Sequence, residues 1–224
     1  VHAGDVPTLV RVVAGVESDG FLGARLQLLR AFGVMMSGRV AEARTALVAA
    51  ADSARDLGWL AGEASALRPG GTAFLNTGDA AGAIATWQRL LDVQERREDA
   101  QGALEAARNV GALLNRQGDA AGALPYLSRA ADAAGRLGDE ALEATLRIDT
   151  GTSLVRAGRP ELAGDDLVRG LALAEKIGRK DWAANALASL SAVHNAAGRT
   201  DESLACAERF VRLRHELGDP RSAA

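Results

Sequence analysis

Three histidines, His2, His194 and His215, and a single cysteine, Cys206, are the residues of this 224-residue chain best suited to metal binding or nucleophilic catalysis. Their spacing argues against both. The sequence has no His-Glu-x-x-His segment and no cysteine pair, so a metal site would need three remote residues to coincide. Cys206 has no candidate base beside it in sequence. Asp165 and Asp166 are adjacent, and neighbours on a helix point about 100° apart, which spoils a paired-carboxylate role and assigns both to a solvated face. No glycine run ends in the Gly-Lys-Ser/Thr of a phosphate loop. The expectation is a chain with no catalytic residue, no cofactor and no metal.

What remains is chemistry suited to recognition. Arg108 follows Arg68 by the same step that takes Arg116 to Arg156, and Asn76, Asn109, Asn115, Asn185 and Asn195 fall among them. Guanidinium forks hold carboxylates, and asparagine amides can bond a peptide backbone at both its donor and its acceptor. If these residues share one face, that face suits an extended acidic peptide. The competing reading is a solvated face on which Glu105 and Asp149 neutralise the arginines. Exposed ion pairs of about 0–1 kcal/mol need no partner to explain them.

The elements that would position these residues follow from the same 40-residue step. "GDAAGA" occurs at 78–83 and again at 118–123, and the step continues through Gly38, Gly158 and Gly198. Seven residues before each glycine lies a small residue (Ala31, Gly71, Gly111, Gly151, Ser191), and four before it a bulkier one (Val34, Phe74, Leu114, Leu154, His194). Five after it comes Ala43, Ala83, Ala123, Ala163 or Ser203. A second series of stops stands at Gly58, Gly138, Gly178 and Gly218, with Glu98 as the exception. Glycine reaches the left-handed conformation that closes a helix, while Asp79, Asp119 and Thr200 can cap the next helix and Pro160 suits a first turn. Apolar residues between stops recur at helical spacing, and none of these stretches alternates with period two.

Each unit is therefore a helical pair, and pairs at a fixed period stack into a solenoid with a continuous core. The predicted fold is all-α, an α-solenoid of five antiparallel pairs in blocks 21–60, 61–100, 101–140, 141–180 and 181–220. Residues 1–20, with Asp5 and Pro7, form a capping helix or degenerate half-repeat, and 221–224 a tail. His194 takes a buried core phase, as does Trp87, while Trp59 and Trp182 plug gaps between units. Leu28, Phe32, Met35 and Met36 occupy groove phases and are expected to be covered by residues 1–20. "LRPGGTA" at 67–73 conflicts with a helix: proline costs about 3 kcal/mol and each glycine about 1 in a helix interior. A break or kink is expected around Arg68–Gly71.

Hydrophobic residues make up 48% of the chain but aromatics only 4%, so the core is built from Ala, Leu and Val with close helix packing. A net charge of -3 provides no electrostatic basis for binding nucleic acid, and no apolar run is long enough to cross a bilayer. One cysteine and no leader before Val1 give a cytoplasmic expectation. The opening valine and the closing "LGDP" read as a piece cut from a longer protein.

The small-x-x-bulky pattern before the turn, clearest in "NVGALL" at 109–114, and the Ala-x-x-x-bulky pattern after it resemble the tetratricopeptide repeat. That family's unit is typically about 34 residues long, so the longer unit here reads as having a longer second helix. The closing "LGD" resembles arrays attached to bacterial ATPase-type transcriptional regulators, and also those of spindle-orientation adaptors. The resemblance implies a right-handed superhelix with first helices lining the concave side. It also implies a non-enzymatic protein- or peptide-binding module, the sensor or scaffold segment of such a regulator, or alternatively a small-molecule effector domain. The groove residues would be Arg68, Asn76, Arg108, Asn109, Asn115, Arg116, Arg156 and Asn195. Residues 201–217, left with an apolar face, are expected to self-associate or to bind the continuation of the longer protein.

Overall fold

The computed structural model describes residues 20–218. The N-terminal segment with Asp5 and Pro7, its expected cover over Phe32, and the tail at 221–224 lie outside that range. Among the described residues are ten α-helices, one short 3-10 turn and no strand. In chain order the helices are α1 (Gly20–Met36), α2 (Val40–Asp56), α3 (Leu60–Asn76), α4 (Ala80–Arg96) and α5 (Ala100–Arg116), then α6 (Ala120–Arg136), α7 (Glu140–Arg156), α8 (Gly164–Lys176), α9 (Lys180–Ala196) and α10 (Thr200–Glu216). The 3-10 turn Pro160–Leu162 precedes α8. Apart from the 13-residue α8, every helix is 17 residues long, and three-residue links join the others. First and second helices are thus equal in length in every pair but α7 and α8, where the second is the shorter.

The predicted glycine stops have positive φ, from 67° at Gly58 to 85° at Gly118, and Glu98 takes the same conformation at 56°. Most close their helix with two backbone bonds: at Gly78, its own N–H donates to Leu75 O at 3.0 Å and that of Asp79 donates to Phe74 O at 2.9 Å. The pattern needs a left-handed residue, which is why Gly recurs and why Glu98 stands out. Asp79 and Asp119 cap α4 and α6 through the N–H groups of Gly82 and Gly122, both at 2.8 Å. Asp99 and Asp139 do the same for Gly102 and Leu142. Thr200 makes no cap: α10 begins at Thr200 itself, and Arg199 holds the cap position with no side-chain bond.

Two compact units emerge, residues 1–110 and 111–224. In the first, α1, α2, α3 and α4 pack in sequence. Ala31, Ala43, Leu47, Ala66 and Leu91 are fully buried there. A Cβ on Gly71 would lie 2.2 Å from the Trp87 indole, so the small residue admits the ring. That packing answers the conflict at 67–73. Helix α3 runs unbroken through Pro69, because tertiary burial of Leu67, Gly70, Gly71 and Ala73 offsets the poor propensity. Trp59, at the start of α3, stacks with Phe21 at 4.8 Å.

In the second unit α6 to α10 pack in sequence, and α7 also meets α9. The core joins Ile148, Leu154, Leu167, Leu187 and Leu190, with Trp182 against its edge and the Arg179 guanidinium 3.8 Å above that ring. Gly111 and Gly151 accommodate Leu127 and Leu167 as Gly71 accommodates Trp87. His194 is half-buried, not fully enclosed, and its Nδ1 accepts from Arg199 Nε at 3.0 Å.

Both units also bury charge, which the sequence reading missed. In the first, Arg89 Nε donates to Glu63 Oε1 at 2.7 Å, its Nη1 to Asp52 at 2.7 Å and its Nη2 to Ala51 O at 3.0 Å. In the second, Arg147 is 3% exposed and donates to Glu143 at 2.9 Å, Asp166 at 2.8 Å and Asp132 at 2.5 Å. Burial works against the Arg147 charge, but its three carboxylate partners outweigh that and hold its pKa above the usual value. Asp166 is consequently buried and paired, not on a solvated face; Asp165 alone is exposed there. Arg147 ties α7 to α6 and α8, which fixes the opposite face of α7 outward.

Candidate functional site

In the second unit, the outward faces of α7 and α9 enclose a concavity of about 620 Å³. Its floor is apolar, from Ile148, Val155, Ala188 and Ala192, and the Thr152 and Ser189 hydroxyls bond across it at 2.9 Å. Asp149 and Arg156 from α7 and Asn185 from α9 stand on its walls. All three are exposed. Asp149 and Arg156 make no ion pair within bonding distance, although Asp149 feels the Arg156 charge. Asp149 sits low enough for desolvation to raise its carboxyl above the usual carboxylate range, with Arg156 pulling partly the other way.

In the first unit a concavity of about 550 Å³ is lined by Phe32, Ser65, Arg68, Pro69, Thr72, Gln94, Arg97 and Asp99, with Ala64 beneath. Pro69 has no N–H to offer Ser65 O, so that carbonyl loses its helical partner. The Gln94 side chain is wholly buried: Oε1 accepts from Arg97 at 2.5 Å, while Nε2 has no partner. Gly102 leaves room for that amide, since a Cβ there would lie 2.1 Å from Nε2. Arg68 is neutralised by Glu105 at 3.0 Å, as the competing sequence reading anticipated.

The eight expected groove residues are not gathered into one pocket. Arg68 lines the first concavity and Arg156 the second. Asn76 and Asn195 lie exposed at the C-terminal ends of α3 and α9. Arg108 and Asn109, in the first unit, and Asn115 and Arg116, in the second, are on α5 and line neither concavity; all but the half-buried Asn115 are exposed. Asp149, Thr152 and Ser189 were not expected as binding residues. Their position one or two helical turns from Arg156, or one repeat further on than such positions, was the available signal.

Comparison with solved structures places this architecture. The chain aligns over 95% of its length with the apo form of RapI, at 13% identity and a TM-score of 0.60, covering 59% of that protein. It aligns over 97% with YrrB, described as a tetratricopeptide-repeat protein with an unusual peptide-binding site, at 14% identity and a TM-score of 0.50, covering 96% of it. The fold is tetratricopeptide-like. A third similar structure is a signal-transduction ATPase with numerous domains and a tetratricopeptide-repeat sensor, from Pyrococcus horikoshii. There the identity is 15%, the TM-score 0.54 and the coverage 97% of this chain and 37% of that one. No family model matches the sequence, and no curated protein does. No helix among the described residues is long and apolar enough to cross a membrane.

Proposed function

We propose that this tetratricopeptide-like chain is a non-enzymatic module that binds a protein or an extended peptide segment on the exposed faces of its first helices. The observation that carries this reading is the concavity between α7 and α9, where Asp149, Arg156 and Asn185 offer charge and amide groups over an apolar floor. The peptide-binding description of YrrB supports the same class of ligand. A role as the sensor or scaffold segment of a larger cytoplasmic regulator is consistent with the repeat sensor of the signal-transduction ATPase. Arg68, Asn76, Arg108, Asn109, Asn115, Arg116, Arg156 and Asn195 are the proposed contacts, with acidic segments favoured by the arginines.

A second reading, a small-molecule effector site, is favoured by the concavity at Pro69, whose lining includes Phe32, Ser65, which gets no N–H from Pro69, and Gln94 with its unpartnered buried amide nitrogen. Self-association through α10 is a further proposal, resting on Leu204 and Val211, which are 59% and 46% exposed. Charged substitution at Val211 would dissociate such a dimer in light scattering, and a monomer at high concentration would reject it.

The leading reading is tested with a fluorescent acetylated decaglutamate as probe. Substituting Arg108→Ala together with Arg116→Ala should weaken binding about thirtyfold, at roughly 1 kcal/mol per lost charge contact, and flatten its salt dependence. Thermal unfolding should stay in place, because both side chains are exposed. Equal loss of folding stability would show that these arginines are structural.

A further inference from the structure

The arrangement of α7 separates its two unpaired charges along one helix face. Asp149 and Arg156 are seven residues apart, two turns, which is about 10 Å along the helix axis at 1.5 Å per residue. An extended peptide advances about 3.3 Å per residue, so three residues span the same distance. Between the two charges lies Thr152, whose hydroxyl bonds Ser189 of α9, and Asn185 of α9 also lines the concavity. The Thr152 and Ser189 hydroxyls are bonded to each other, which leaves the Asn185 amide and the Ser153 hydroxyl among the lining groups to meet a peptide backbone.

We propose that the α7–α9 concavity selects a mixed-charge peptide segment, with a basic residue at Asp149 and an acidic residue three positions away at Arg156. This rests on the peptide-binding reading above and refines it. A purely acidic segment would set a carboxylate against Asp149, whereas a lysine or arginine there gains an ion pair that no described residue supplies. Charge complementarity thus separates this site from the Arg68 site, where Glu105 already neutralises the arginine. The raised pKa of Asp149 agrees: desolvation works against its charge, and Arg156 offsets this only in part. Asp149 acts here as a specificity-determining residue.

The test uses acetylated, amidated nonapeptides of Gly, Ser and Ala carrying one Lys and one Glu at separations of one to five, in both orders, and a Glu/Glu control. Binding to the full isotope-labelled chain is read from backbone and Asn185 side-chain resonances. The peptide with three-residue separation should bind about fivefold tighter than the Glu/Glu control, the gain of one ion pair near 1 kcal/mol. Asp149→Asn should abolish that preference without changing thermal unfolding, and the D149R/R156D exchange should favour the opposite order of Lys and Glu. Binding at α7 and α9 that ignores Lys, the separation and Asp149→Asn would overturn this proposal while leaving the peptide-binding reading standing. Silence of α7 and α9 resonances with every peptide, including the control, would overturn both.

Discussion

The two buried charge clusters occupy the same phases of the repeat. Asp52 and Asp132, Glu63 and Glu143, and Arg89 and Arg169 are each separated by two full periods. In the first unit Arg89 spans Asp52 and Glu63 by itself. In the second, Leu67 and Thr86 are replaced at the same phases by Arg147 and Asp166, and the new arginine takes both carboxylates as well as Asp166. Arg169 is displaced to a 3.2 Å contact with Glu143, its side chain 62% exposed. One helical repeat therefore tolerates either a leucine with a half-covered arginine or a fully enclosed arginine. Burial of one more opposite pair changes which residue locks the helices, not the fold.

The largest expected effect is at Arg147. Arg147→Met leaves Glu143 and Asp166, each 7% exposed, as buried carboxylates without their main partner. A loss of about 3–5 kcal/mol in urea unfolding is expected. Converting the pair to the identities of the first unit, with Arg147→Leu and Asp166→Thr, should bring stability back to within about 2 kcal/mol of the parent, because Arg169 can then turn inward as Arg89 does. A double variant no better than R147M would break the equivalence of the clusters.

Arg89→Met should cost less, about 1.5–3 kcal/mol in the same measurement, since it strands one buried carboxylate, Glu63, where Arg147→Met strands two, and its other partner Asp52 is already open to water. Losses of equal size at Arg89 and Arg147 would mean that burial does not separate the clusters. The first unit also has Gly70 where the second has Thr150. A Cβ on Gly70 would meet Thr86 at an ordinary 3.5 Å, so Gly70→Ala should raise stability by about 0.4–1 kcal/mol in thermal unfolding. A loss would show that the contact at Thr86 is tighter than its geometry.

The smallest effect belongs to an exposed pair, which serves as the surface reference. Two hydrogen bonds from Arg179 hold the Asp181 carboxyl below its usual range, with the Trp182 backbone adding to the same direction. The depressed folded value means that this pair stabilises above the ordinary aspartate pKa and loses its contribution as pH falls through the lowered one. An NMR titration should show Asp181 protonating later on acidification than in Arg179→Gln. Coincident curves would remove the pairing.

The glycine step made the helices legible because a left-handed stop tolerates few residues and leaves its mark wherever it occurs, Glu98 included. Charge clusters leave a weaker mark. Asp166 reads as a surface residue until the face of α7 that meets α6 and α8 is known, yet the recurrence of Asp, Glu and Arg two periods on was present in the sequence. Pro69 misled for the opposite reason: propensity is local, and Trp87 packing against Gly71 is not. Of the binding residues, Arg156 and Asn185 followed from their phases. Asp149 appeared only as a neutralising charge, since its lack of a bonded partner is a matter of distance.

Hydrogen exchange on the full chain with a bound peptide tests the central claim, recognition by first helices, most directly. With a peptide selected from a random extended library as probe, slowed exchange should map to first helices, α7 and α9 around Asp149, Thr152 and Asn185, α5 around Arg108 and Arg116, or α3 around Arg68, and spare α2, α4, α6 and α8. Protection confined to those second helices, or to the Leu204–Val211 face of α10, would contradict it.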